Sequence, residues 1–284
     1  MTAFFGIVIG IGFIFTQIYQ NPSILYVAVI FSVLMSITSY WFSDKIVLAL
    51  HRAKPVNMQS NPELYRILEN LTIAAGLPMP KFYIINDPAP NAFSTGRNPK
   101  HAVVCITTGI MERLDRSEME GVLAHELMHI GNRDMLVSTV AVVLVGFISI
   151  VSDIFLRSMW FASASRRSDE REGGGALVLI GIILSVLAPI IAMLLQLAIS
   201  RRREFLADSS GALLTRYPEG LISALKKISA DPRPLSTATN ATAHLFFENP
   251  FKADSHVPRK TAWIVKLFMT HPPVEDRIKA LEGR

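Results

Sequence analysis

One group of residues in this chain suggests chemistry by its types and spacing alone: His125-Glu126-Leu127-Met128-His129. On a helix, positions i and i+4 lie about 40° apart around the axis and about 6 Å apart along it, so both imidazoles can reach one small cation. Zinc favours such nitrogens and binds them tetrahedrally. The carboxylate of Glu126 then points past the metal, where it can take a proton from an attacking water. A catalytic site of this kind needs a third protein ligand and leaves one position open. Glu204 is the candidate, in SRRREFLADSSGA, where Asp208 follows on the same helical face. Asp208 suits a hydrogen bond to the second nitrogen of a ligand histidine. The plainer readings are that Glu204 offsets Arg201, Arg202 and Arg203, and that Asp208 caps a surface turn.

Those residues need elements to hold them. Ser117-Glu118-Met119-Glu120 has the pattern of a capping box, which starts a helix there and places the histidine motif inside it. That helix is expected to run without a break into the apolar residues that begin at Met135. Half of the 284 residues are apolar, the mean hydropathy is +0.36, and the first 43 residues carry no charged side chain. Asn21-Pro22-Ser23 divides those 43 residues into two apolar runs, each long enough to cross a hydrocarbon core of about 30 Å. A cleaved signal peptide is the rival, but it lacks a basic start and a second apolar run follows it. Met135 to Leu156 and Ala176 to Ile199 form two further runs, the second tolerating Pro189 as a kink. The third run begins shortly after His129 and the fourth ends shortly before Glu204, so neighbouring spans would bring the two motifs together at the bilayer surface.

The division expected is therefore a transmembrane hairpin over 1–43, a first catalytic segment over 44–134, a second hairpin over 135–200 and a second catalytic segment over 201–284. In the first catalytic segment, Asn61-Pro62-Glu63 opens a helix that Gly76 and Pro78 end. Lys81 to Asn86 and Ala102 to Thr107 read as strands, and DPAPNAFSTGRNPK between them as a loop or hairpin. His51, His101, His244 and His256 have no partner at ligand spacing and read as surface or loop residues. Residues 249–268 read either as a lid or as a surface loop.

Taken together, PNAFSTG, HELMHIGNRDM, RRREFLAD, THPPVEDRI and the two hairpins resemble the HtpX family. These are membrane-bound zinc metalloproteases of bacterial heat-shock and membrane quality control, related more distantly to the CAAX prenyl endopeptidases. The resemblance covers nearly the whole chain. It implies one zinc per chain held by His125, His129 and Glu204, with Glu126 as general base. It also implies that Asn91, Ala92 and Phe93 form an edge strand that pairs with extended substrate, and that His271 and Arg277 lie near the scissile carbonyl and stabilise its oxyanion. A proline-ended loop and a surface-paired arginine are the plainer readings of those last two. The fold class is accordingly an α-helical integral membrane protein of about four spans, with a mostly α (α+β) zincin-like metalloprotease domain.

Charge sets the remaining expectations. Lys45, Arg52, Lys54, Arg133, Arg201, Arg202 and Arg203 flank the spans on the catalytic side, against Arg157, Arg166, Arg167 and Arg171 on the other. The excess favours a cytoplasmic catalytic domain, and the resemblance implies a bacterial inner membrane. The single cysteine, Cys105, fits a reducing compartment. A net charge of +5 concentrated beside spans suits lipid headgroups rather than nucleic acid, and no nucleotide-binding fingerprint is present. The resemblance implies polypeptide substrates, misfolded membrane proteins in particular. A zinc-binding membrane scaffold or a metal transporter is the alternative, although transporters place ionisable residues inside their spans.

Overall fold

The structure is a computed structural model. It describes residues 21–136, 201–239, 242–251 and 272–283, together with three isolated positions near the N-terminus. The chain divides into two compact units, Met1–Ser43 with Val140–Leu194 and Asp44–Thr139 with Leu195–Arg284. The second apolar run forms α1 (Ser23–Leu50). Its stretch Leu25–Phe42 is long and apolar enough to cross a membrane by length and composition, and Tyr26, Ile30, Leu34, Ile37 and Trp41 along it stand exposed. The first, third and fourth apolar runs lie outside the described residues, apart from isolated positions in the first and two residues of the third.

The second unit is a four-stranded sheet packed with helices. Its strands are β1 (Lys54–Val56), β2 (Lys81–Ile85), β3 (Ala92–Gly96) and β4 (Ala102–Thr107), in the order β1-β2-β4-β3. β2 and β4 run parallel, as a connection through an intervening strand allows, while β1 and β3 pair antiparallel at the two edges. The helices are α2 (Pro62–Ala75), α3 (Thr108–Arg113), α4 (Arg116–Gly131), α5 (Arg201–Thr215), α6 (Pro218–Ala230) and α7 (Val274–Leu281). α2 begins and ends as its sequence requires. The Asn61 side chain accepts from the Leu64 amide, and Gly76 takes the left-handed φ of 65° that closes the helix.

α4 is central. Val122, Leu123, Ala124, Leu127 and Ile130 are buried around most of its circumference. Its start differs from expectation: the cap is Asp115 and its partner Glu118, each side chain bonding the other residue's backbone. Ser117 instead donates its hydroxyl to Asp115. Glu118 is itself buried and also accepts from Ser223 and Lys227 of α6, which pins the start of α4 to its neighbour. The end differs too. α4 stops at Gly131, Asn132 caps it and Arg133 turns at a φ of 60°, after which helical backbone resumes at Asp134. The expected unbroken helix is two, separated by a turn.

Candidate metal centre

His125, Glu126 and His129 lie on α4, and Glu204 and Asp208 lie one turn apart on α5. The two helices meet at glycine. A Cβ at Gly211 of α5 would stand 3.0 Å from the backbone nitrogen of His125, a tight contact that glycine avoids at this close approach. His125 and Glu204 are almost wholly buried, and His129 is the partly exposed member. His125 Nε2 is 3.1 Å from His129 Nε2 and 3.9 Å from a Glu204 oxygen, and His129 Nε2 is 3.5 Å from the other.

The donor set fits a tetrahedral cation. His125 Nδ1 lies 2.9 Å from Asp208 Oδ1 and His129 Nδ1 lies 3.3 Å from Asp134 Oδ2, so each ring has an acceptor for its Nδ1 proton. In the neutral rings that tautomer would turn the Nε2 lone pairs toward each other beside a carboxylate. Three such donors repel unless positive charge lies among them, and neighbouring ligands of tetrahedral zinc stand about 3.3 Å apart. The titration of the site has the same origin. Burial works against a charged His129, but the Glu204 carboxylate, then Asp134 and Glu126, push its pKa up to about 9. Burial lowers the pKa of His125, outweighing the pull of Asp208.

Arg277, from α7, is fully buried behind His125. Its Nε and Nη2 donate to the two oxygens of Asp208 at 2.8 and 2.6 Å, and its Nη1 donates to the carbonyl of Phe247 at 3.0 Å. Burial favours a neutral Asp208, yet the guanidinium beside it holds its pKa down to about 2. Instead of an open oxyanion site, the described contacts of Arg277 are with Asp208 and the Phe247 carbonyl, with Nη1 also 4.0 Å from a Glu204 oxygen. His271 lies outside the described residues.

β3 is a sheet edge, as expected of Asn91-Ala92-Phe93, but the chain itself covers the outer side. Phe247 donates its amide to the Ala92 carbonyl at 2.7 Å, and Phe93 bridges Phe246 in antiparallel fashion. The Asn91 amide donates to the Glu248 carbonyl and accepts from the Glu248 amide. Phe246 and Phe247 are both buried. Peptide-binding groups are thus present at these positions, and here they bind the chain's own backbone. Two residues of the centre were missed in the sequence: Asp134, hidden at the edge of an apolar run, and Phe247, in a stretch without a motif. His51, read as a surface residue, is buried against Phe93 and Phe246.

The family model for peptidase family M48 matches residues 58–284. The chain belongs to peptidase family M48. It is 44% identical over 281 residues to a protease HtpX homolog of Caldanaerobacter subterraneus, covering 98% of this chain and 90% of that one. A protease HtpX homolog of Pyrococcus furiosus is 43% identical over 278 residues, covering 97% and 90%. The crystal structure of S. mikatae Ste24p shares the fold at a TM-score of 0.54 and 17% identity, covering 98% of this chain. This chain spans 62% of the length of that structure. As a member of M48 the protein is a metallopeptidase, an enzyme that hydrolyses peptide bonds. Zinc dependence is general in the family, and His125, His129 and Glu204 are the described group able to hold such an ion.

Proposed function

We propose that the protein is a zinc endopeptidase that binds one zinc per chain through His125, His129 and Glu204. The observation that carries this reading is the triangle of two Nε2 atoms and one carboxylate, each donor within 4.8 Å of the others. Bound there, zinc supplies the Lewis acidity that activates water and polarises the scissile carbonyl. Glu126, on the same helix between the two histidines, takes the proton as the water oxygen bonds the carbonyl carbon. As the C–N bond breaks, Glu126 returns that proton to the leaving nitrogen. Asp208 and Asp134 fix the tautomers of the two histidines, and Arg277 positions His125 by holding Asp208. His271 is assigned to the oxyanion on the resemblance alone.

Substrate reaches the centre from the His129 side, the exposed side of the ligand set. Pairing of extended substrate with Asn91–Phe93 would require the 246–248 segment to leave β3, exposing two buried phenylalanines. At about 1.5 to 3 kcal/mol for each ring, we assign that edge to the chain itself. The substrates are misfolded membrane proteins, acted on at a bacterial inner membrane. Residues 1–43 and 135–200 form the two transmembrane hairpins, and 44–134 with 201–284 form the cytoplasmic catalytic domain. Neither nucleotide nor nucleic acid takes part.

Incubating the purified protein with zinc and casein, beside Glu126→Gln, tests the reading. Wild type should cleave casein, while Glu126→Gln should keep about one zinc per chain and lose turnover by orders of magnitude. Proteolysis retained in Glu126→Gln, or wild-type zinc content in Glu204→Ala, would overturn it.

A further inference from the structure

Phe247 belongs to no motif, yet it touches three parts of the centre. Its amide is anchored on Ala92 at the sheet edge, and its carbonyl holds Arg277 Nη1. Its ring meets the His125 imidazole edge to face, with centroids 5.0 Å apart, and the Arg277 guanidinium lies 4.7 Å from the same ring. One residue thus contacts a metal-ligand candidate and the arginine that holds that ligand's carboxylate.

We infer that Phe247 is a positioning residue for His125, fixing the plane of the imidazole and the seat of Arg277 so that Nε2 keeps its direction. This rests on the reading of His125 as a zinc ligand. The physical need is plain. Asp208 holds Nδ1, and the His129 ring already stands perpendicular to the imidazole. Phe247 adds a second perpendicular aromatic surface, a geometry aromatic pairs prefer, and so limits how far the ring can tilt. Arg277 is held in the same way, since Asp208 takes its Nε and Nη2 while the Phe247 carbonyl takes Nη1 at 3.0 Å, nearer than the Glu204 oxygen at 4.0 Å. Asp208 therefore keeps its position through a contact that begins on β3.

The neighbour Phe246 provides the comparison. It is equally buried, but its ring packs on Phe93 and His51 instead of on His125. Phe246→Leu and Phe247→Leu should cost similar thermal stability in the metal-free protein. In competition with a chelator, Phe247→Leu should weaken zinc affinity about tenfold, the low end of what loss of an outer contact to a ligand does, while Phe246→Leu should match wild type. Cobalt in place of zinc should show altered d–d absorption in Phe247→Leu alone. Phe247→Met, which fills the same space with a flexible chain, serves as a second variant should the leucine fail to fold. Equal zinc affinity and equal cobalt spectra in the Phe246 and Phe247 variants would overturn the inference. Unchanged zinc binding in His125→Ala would instead overturn the ligand reading beneath it.

Discussion

At the scale of single residues, the proposed zinc would replace a proton at the centre. With its pKa pushed up to about 9, His129 carries a proton at pH 7, and a metal ligand must be neutral. Zinc uptake at pH 7 should therefore release about one proton from His129, falling toward none above pH 9. Calorimetry in buffers of different ionisation enthalpy would read this, and uptake at pH 7 without proton release would contradict the assignment. In the metal-free protein the raised pKa stabilises the fold fully below the ordinary histidine range, and that contribution is lost as pH rises through about 9. Asp208 has the opposite sign. Its pKa of about 2 contributes roughly 2 kcal/mol above pH 4, lost as pH falls toward 2. Asp208→Asn should weaken zinc affinity about 10- to 100-fold, and chelator-treated protein should show a flatter acid limb between pH 4 and 2. An unchanged affinity with lowered stability would leave Asp208 a purely structural residue. The motif residues were legible because helical spacing decides which side chains meet. Phe247 and the engaged state of Arg277 were not, since each depends on contacts between segments far apart in sequence, and Asp134 was hidden because its contact with His129, five residues before it, depends on the turn after Gly131.

At the scale of elements, α4 and α5 hold the ligand donors at their separation through the contact at Gly211. A methyl group there would meet the His125 backbone at 3.0 to 3.2 Å, and backbone gives way only if the helices part by a few tenths of an ångström. Gly211→Ala should accordingly cost about 1 to 3 kcal/mol of stability, as overpacking usually does, seen as a lowered melting temperature, and lower zinc affinity with it. A variant with wild-type zinc affinity would show that the donors adjust independently of the helices. Gly211 was invisible as a contact residue, because nothing in SSGA marks a close approach. The sheet was more legible. β2 and β4 appeared as short apolar runs bounded by turn residues, whereas β3 was ambiguous because PNAFSTG carries the composition of a turn. Its strand state comes from pairing with β4 on one side and with Phe246 on the other. The break after α4 was equally hidden. Gly131-Asn132 is a familiar helix stop, but the apolar residues beyond it read as continuation.

At the scale of the whole molecule, the four-span reading requires His125 and Glu204 to lie on one side of the membrane. Single cysteines at Ser163 and Ser255 test this with a membrane-impermeant thiol reagent on intact cells. Ser163→Cys should react from outside and Ser255→Cys only after permeabilisation, while protection of both would leave two spans. The native Cys105 should stay silent, because burial and then the charge of Glu126 push its thiol well above the ordinary range. The same separation of the chain into interleaved parts bears on how the enzyme is made. A ribosome that has completed the HELMH helix has not yet supplied Glu204 or Asp208, and Arg277 comes later still. The nascent chain consequently emerges among other unfinished proteins while its own centre is incomplete. A chain released before α5 is complete lacks Glu204 and Asp208 and should therefore hold no zinc at this centre.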